Sequence, residues 1–289
     1  LGVIREAILD WKPHIVFNLV EEFHGVALYN THVASYLELM RQPYTGCNPR
    51  GLMLSRDKAL TKKVLAFHRI RVPGFAVYPR RAKVRRPAKL RFPLVVKSRT
   101  EEGSYGISQA SIVTSDEKLR ERVEYMHEQL ETDAIVEEFV EGREFYVGLM
   151  GHRRTQALPV IELDFGKMPE GQHWIATSKV KWDWDYQKKW DIRIRLAEGL
   201  DPDAEKRMVR LARRVFRGLY LSGYGRIDLR LTESGELFVL EANANADVGE
   251  GEEMSMAAEA VGLDYGRFIQ RILNQGLSYP AAWSQVTWG

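Results

Sequence analysis

Two alternating segments, Gly225–Leu231 and Leu237–Ala242, joined by Glu233-Ser234-Gly235-Glu236, constrain this chain more than any other feature. Alternation of polar and apolar residues over that length marks half-buried strands, and the Ser-Gly turn folds them into an antiparallel hairpin. Side chains on a strand alternate between faces, so Arg226, Asp228 and Arg230 share one face; Glu241 and Asn243 share a face of the partner strand. Pairing across the turn brings Asp228 beside Glu241. Two carboxylates and an amide oxygen form an all-oxygen donor set of the kind Mg²⁺ prefers, with water and substrate phosphates completing its shell. The same spacing also suits a solvent-facing polar side of an antiparallel sheet.

At 289 residues the chain exceeds the usual size of one hydrophobic core, which predicts two or three domains. Lys and Arg number 42 against 39 Asp and Glu, a net charge of +3 that does not make nucleic acid the default partner. Apolar runs such as Ile15-Val16-Phe17 and Leu94-Val95-Val96 fall far short of the roughly 18 residues of a membrane span. The single cysteine, Cys47, excludes an internal disulfide and a multi-cysteine zinc site, and suits a reducing, cytoplasmic location. No base is recognisable beside it, so Cys47 reads as a bystander rather than a nucleophile. The sequence opens at Leu1 on a helical pattern, Ile4, Ala7, Ile8 and Trp11, whose apolar face calls for a partner upstream. The native N-terminus is therefore expected to be missing from this numbering.

Pro13 ends the opening helix, and His14 to Val20 reads as a short buried strand. A helix through Val33, Leu37 and Met40 closes at Pro43, a hinge is expected at residues 45 to 56, and a helix follows from Asp57 to His68. Strands are expected at Phe75–Tyr78, Pro93–Lys97, Gln109–Val113 and Ala134–Val140. Ser115 serves as the N-cap of a helix that runs to Leu130. Further strands lie at Glu144–Met150 and Ala157–Leu163, before an unusual stretch, His173 to Arg195, with four Trp and six Lys or Arg. Asp201-Pro202 starts a basic helix, since a cap carboxylate followed by proline leaves no amide wanting. A terminal helix spans Tyr265 to Leu273. The class is α+β with mixed sheets, its N-terminal part α/β. The expected boundaries are 1–54, 55–143 and 144–289.

The sequence holds no GxxxxGK[ST] loop, GxGxxG turn, HExxH pair or GxSxG elbow. The loop Ser98 to Ser108, after the lysine that ends a strand, carries Gly103, Gly106 and small hydroxyls that can wrap a phosphate, or can simply form an ordinary connection. Seven basic residues in the twelve from Arg80 to Arg91 lack interleaved aromatics, which makes them a solvated loop before a nucleic-acid platform.

Seven stretches, in order and spacing, resemble the ATP-grasp enzymes, and among them the D-alanine–D-alanine ligase branch. They are Phe17-Asn18-Leu19-Val20-Glu21, Pro43-Tyr44-Thr45-Gly46, the run Asp57 to Lys63, Leu94-Val95-Val96-Lys97, the run Val136 to Phe145, Gly223 to Asp228, and Leu240-Glu241-Ala242-Asn243. The resemblance implies an ATP-grasp fold that holds ATP between two α+β subdomains, with the N-terminal α/β domain truncated. It implies an ATP-dependent carboxylate–amine ligase that joins amino acids or a small peptide through an acylphosphate. Lys58 and Lys97 would hold the phosphates, under a lid formed by Gly103, Ser104, Tyr105 and Gly106. Glu137, Glu138, Phe139 and Val140 would read the adenine edge, and Glu144 the ribose. Asp228, Glu241 and Asn243 would hold two Mg²⁺, with Mn²⁺ as a substitute. Arg226, Lys181 and Ser104 would serve catalysis. Lys181 lies in a second lid over 177–190, for which Lys188-Lys189-Trp190 is the other registration. Many relatives are homodimers.

The chain departs from that branch where the acceptor should sit. A Gly-Met-Thr…His-Ser type segment is replaced by Ala244 to Met254, which carries Asp247, Glu250, Glu252 and Glu253. Tyr29 also stands near the place of an acidic donor-side residue. Like-charge repulsion disfavours an acceptor carboxylate beside four acids, so an altered acceptor, cationic or without a free carboxylate there, is expected. The alternative for the acids is a solvated helix start, where the dipole favours negative charge. Two other classes compete with the ligase: a non-catalytic ATP-binding regulatory module, and a basic-patch protein centred on Arg80–Arg91.

Overall fold

The computed structural model describes residues 1–169 and 171–285; the expected C-terminal unit thus extends beyond them at 286–289. Helix α1 (Gly2–Trp11) ends where Lys12 turns left-handed, one residue before Pro13. The strand expected at 14–20 does not form. Only Val16 makes a bridge, to Tyr44, and Leu19 is 65% exposed, because no neighbouring strand continues the ladder. Helix α2 (Asn30–Leu39) buries Val33, Ala34 and Leu37 as its spacing required. The expected hinge is largely helix α3 (Pro49–Arg56). Asn48 caps it by accepting from the Gly51 amide at 2.9 Å, and Pro49 occupies the first turn. Asp57 then caps α4 (Lys58–Phe67), accepting from Ala59 and Leu60.

Strands β1 (Phe75–Tyr78), β2 (Leu94–Ser98) and β3 (Ile112–Val113) precede helix α5 (Asp116–Glu128), capped by Ser115, and strand β4 (Ala134–Glu138). They form an antiparallel sheet in the order β1-β4-β2-β3. β3 is shorter than expected because residues 109–111 wind into a 3₁₀ turn. Leu119, Val123 and Met126 of α5 cover Leu94, Val96 and Val136 of this sheet.

The second sheet is built from β5 (Arg143–Gly151), β6 (Thr155–Asp164) and, after helices α6 (Ser178–Trp182) and α7 (Trp184–Trp190), β7 (Arg193–Leu196). Helix α8 (Pro202–Gly218), capped by Asp201, leads to the hairpin β8 (Gly223–Leu231) and β9 (Leu237–Ala244). The order is β7-β6-β5-β8-β9, antiparallel throughout. Helices α9 (Glu253–Glu259), expected only as the helix start that is the alternative for the acids, and α10 (Tyr265–Leu277) follow, with a 3₁₀ turn at Ala282–Gln285.

Both faces of this sheet are covered. Met208, Ala212, Val215 and Phe216 of α8 pack on Phe145, Val147, Ile227 and Leu229, and α2, α3 and α4 extend that core through Leu37, Leu52 and Leu65. Met254 and Ala257 of α9 and Phe268 and Ile272 of α10 pack on Tyr146, Met150 and Ile161 opposite. Burial of such apolar area on two faces is the main favourable term for a sheet of this kind. No helix among the described residues is long and apolar enough to cross a membrane.

Candidate active site

The hairpin pairs Arg226 with Asn243 and Asp228 with Glu241, a register reached through an irregularity at Leu240. Burial decides between the two readings of its polar face. Asp228 is 5% exposed, Arg226 7% and Asn243 9%, so this face does not look into solvent. The Arg226 guanidinium donates to Asp228 Oδ1 at 2.8 Å and Oδ2 at 3.1 Å, and to Glu253 Oε2 at 2.8 Å. It lies 4.7 Å from the centre of the Tyr146 ring, and the Asn243 amide donates to Asp228 at 3.0 Å. Burial opposes the charged form of Arg226, but the Asp228 and Glu253 carboxylates outweigh it and raise its pKa. Burial raises Asp228 in spite of Arg226.

A row of cations lies on the opposite side. Lys58 Nζ is 2.8 Å from Glu241 Oε1, and Lys97 Nζ is 3.2 Å from Glu137 Oε2. Burial alone would raise the Glu241 carboxyl, yet Lys58 and Lys97 hold it down at about 2. Lys62, which the sequence did not single out, meets the other oxygen of Glu137 at 3.2 Å. Its full burial lowers its pKa, whereas Lys97 is raised because the Glu137 and Glu241 carboxylates overcome its desolvation. Lys97 has the Glu144 carboxylate as a further attraction, whereas desolvation is the leading influence on Lys62.

The two expected lids touch each other. Ser104 Oγ donates to the Ala176 carbonyl at 2.6 Å, Ser178 Oγ to the Ser104 carbonyl at 2.7 Å, and the Trp182 indole N–H to the Gly103 carbonyl at 3.0 Å. Ser104, Gly103 and Gly106 take left-handed backbone angles that produce this turn. Lys181 and Trp182 line the cleft and Lys188 and Lys189 do not, which favours the first registration. Arg56 braces the base of the first lid, with an ion pair to Glu102 and donation to the Glu21 carbonyl.

Between these walls is a cleft of about 380 Å³, within the range of small-molecule sites. Lys97, Glu137, Glu138, Phe139, Val140 and Glu144 all border it. Glu144 is already held by the Tyr146 hydroxyl at 2.9 Å, two residues along its own strand, and by Arg230, which only the folded sheet brings to it. Of the four acids expected at the acceptor, Asp247, Glu252 and Glu253 line the cleft, and Glu250 does not. Glu250 is solvent-exposed beyond the strand end, and Glu253 is committed to Arg226, so two of the four are unsuited to the acceptor role. Glu21 and Glu22, for which no role was expected, line the cleft, while Tyr29 lies outside it, 42% exposed. The basic loop is partly neutralised by Arg86–Asp116 and Arg80–Glu131 ion pairs, leaving less charge for an acidic partner.

The donor set of Asp228, Glu241 and Asn243 fits a hard divalent cation. Two carboxylates, Asp228 buried and Glu241 partly open to the cleft, face one another across a ladder, an amide shares their side, and each carboxylate already draws a protein cation. Among the described residues no three His, Cys, Asp or Glu side chains gather into a metal-binding group, here or elsewhere, so the set rests on two carboxylates and an amide.

Comparison with known proteins agrees with this geometry. The family model for the D-ala D-ala ligase C-terminus matches residues 63–274. The uncharacterised protein y4sG of Sinorhizobium fredii is 31% identical over 264 residues, covering 90% of this chain and 74% of its own. A D-alanine–D-alanine ligase of Aquifex aeolicus is 30% identical over 92% of this chain and 84% of its own. A D-alanine–D-alanine ligase of Bacillus anthracis, solved in complex with ATP, superposes with a TM-score of 0.75 at 19% identity, covering 95% of this chain and 83% of that one. The fold is thus the α+β ATP-grasp fold. The chain belongs to the D-alanine–D-alanine ligase-like branch of the ATP-grasp family and is a ligase.

Proposed function

We propose that the protein is an ATP-dependent carboxylate–amine ligase that forms an amide or peptide bond through an acylphosphate, using amino acids or a small peptide. The observation that carries this reading is the facing pair Asp228 and Glu241, set opposite Lys58 and Lys97 in one cleft. ATP carries about four negative charges that must be balanced before its γ-phosphoryl group meets another anion. Lys58, Lys97 and Lys181 supply positive charge, and Asp228, Glu241 and Asn243 would hold two Mg²⁺ or Mn²⁺. Bound there, the metals neutralise and align the phosphates. The backbone of residues 137–140 would take the adenine edge and Glu144 the ribose, which leaves the Glu137 side chain to Lys62 and Lys97. Arg226, held rigid by Asp228, Glu253 and the Tyr146 ring, presents a fixed charge to the reacting carboxyl group. The meeting of Gly103–Gly106 with Ala176–Trp182 closes the cleft against water, which protects an acylphosphate from hydrolysis.

In this reading residues 55–143 and 144–289 form the two halves that hold the nucleotide, and residues 1–54 contribute to the substrate end. A cytoplasmic setting, where ATP is available, accompanies it. The acceptor is cationic or lacks a carboxylate, because Asp247 and Glu252 line the cleft with no ion-pair partner among the described residues. Neutralising these two should raise the acceptor KM more than the ATP KM; equal effects on both would remove this part of the reading.

The test is ADP release with Mg-ATP and a panel of single D- and L-amino acids, amines and pairs of these, in wild type and Glu241→Gln. A substrate-dependent rate that the substitution abolishes is the expected result. Failure of the wild type to bind Mg-ATP overturns the reading.

A further inference from the structure

Lys58 and Lys62 stand one helical turn apart, so α4 points two ammonium groups in the same direction. Lys58 reaches the Glu241 carboxylate. Lys62 is 1% exposed and lies behind the cleft wall; its Nζ donates to the Leu240 carbonyl at 2.9 Å and meets Glu137 at 3.2 Å. Leu240 is a special position. The ladder passes from Asp228 opposite Glu241 to Leu229 opposite Val239, so Leu240 is the extra residue of a bulge. Bulged residues lose their ladder partner, and here a buried lysine takes up the carbonyl instead. Lys62 thereby ties β4 of one sheet to β9 of the other.

The charge arithmetic matters more than the tie. Glu137 divides its two oxygens between Lys62 and Lys97. With both lysines charged, the buried group carries one net positive charge, and Lys97 keeps its attraction for an anion in the cleft. Without Lys62, the carboxylate has Lys97 as its only cation, and that lysine is both neutralised and drawn away from the cleft. Breaking a buried ion pair from one side leaves an uncompensated charge that claims whatever cation remains.

We propose that Lys62 is a positioning residue for the nucleotide: its charge offsets that of Glu137 so that Lys97 faces the phosphates, and it anchors the β9 bulge next to Glu241. This rests on the ATP-ligase reading above. The experiment is Mg-ATP binding by calorimetry for wild type, Lys62→Met, Lys62→Arg and the double variant Lys62→Met/Glu137→Gln, each with its thermal midpoint. Lys62→Met should weaken Mg-ATP by about 10-fold to 100-fold, the scale seen when an outer-shell partner is removed. Lys62→Arg should stay close to wild type. The double variant should recover most of the loss, since no carboxylate then competes for Lys97. A purely structural lysine would lower the midpoint without changing Kd in the folded fraction, and that result overturns the proposal. So does a double variant that binds no better than Lys62→Met. If Lys62→Met does not fold, the double variant and Lys62→Arg decide in the same way: the proposal requires both to bind Mg-ATP near wild-type strength, and weak binding by a folded double variant overturns it. A wild type that does not bind Mg-ATP overturns the ATP reading itself, which is a distinct outcome.

Discussion

Asp228 and Glu241 face each other across the β8–β9 ladder, and each is matched by a different cation, Arg226 at 2.8 Å and Lys58 at 2.8 Å. The two cations approach from different elements, β8 itself and the start of α4. The hairpin therefore supplies the acidic centre and, in Arg226, part of its compensation, while Lys58 of α4 supplies the rest.

Arg226 balances two buried carboxylates at once, so its loss should be costly. Arg226→Met is expected to destabilise the fold by about 3–5 kcal/mol, because Asp228 and Glu253 remain buried without their partner. Arg226→Lys should recover part of this, since an ammonium cannot make the two-pronged contact with Asp228. Urea unfolding of the three proteins checks the order.

The two lids are joined through backbone carbonyls, and the Trp182 indole is a half-exposed link among them. Trp182→Phe keeps an aromatic ring but removes its N–H. ADP release without acceptor is expected to rise several-fold relative to coupled turnover, because a looser closure admits water. The thermal midpoint should stay nearly constant. An unchanged coupling ratio would show that this bond does not seal the cleft.

Gly51 sits inside α3, where alanine would ordinarily improve a helix. Here a Cβ would approach the Cys47 sulfur to 2.5 Å and the Leu221 backbone to 3.1 Å. Gly51→Ala is therefore expected to cost about 1–3 kcal/mol through overpacking. Cys47 is fully buried, and desolvation pushes its thiol up to about 12. A thiol reagent at mildly alkaline pH should leave it unlabelled in the native wild type and label it fully after denaturation. In Gly51→Ala, labelling should be faster.

His152 should make the native state acid-sensitive. Its Nε2 faces the Gln275 carbonyl at 2.9 Å, its Nδ1 accepts from the Gly223 amide at 3.3 Å, and the Tyr279 ring lies against it. Burial lowers its pKa below the ordinary histidine value, only partly offset by Gln275. A base depressed in the folded state favours folding above its unfolded pKa, about 6.5, and that contribution is lost as pH falls toward the folded value. Thermal midpoints measured from about pH 7.5 down to about pH 5.5 should decline less steeply in His152→Asn than in wild type.

Much of the fold follows from local pattern. Ser115 and Asp201 cap their helices as expected, and alternation assigns Asp228 and Glu241 to their strand faces, but the bulge that skips Leu240 is what sets them opposite each other. The failures are also local. The apolar run at 14–20 has the composition of a strand, but a strand needs a neighbour, and only Val16 finds one. Asn48-Pro49 carried a helix start that the surrounding motif obscured.

The sequence by itself determined which residues can carry charge to the site and which strand faces they occupy, because periodicity and capping act within a few residues. Only the tertiary structure decided that the hairpin's polar face is buried rather than solvated. It alone assigned Glu253 to Arg226, left Glu250 in solvent, and placed Lys62 behind Glu137. These pairings join residues far apart in the chain. Their strength depends on desolvation, which is a property of the packed whole and not of any segment.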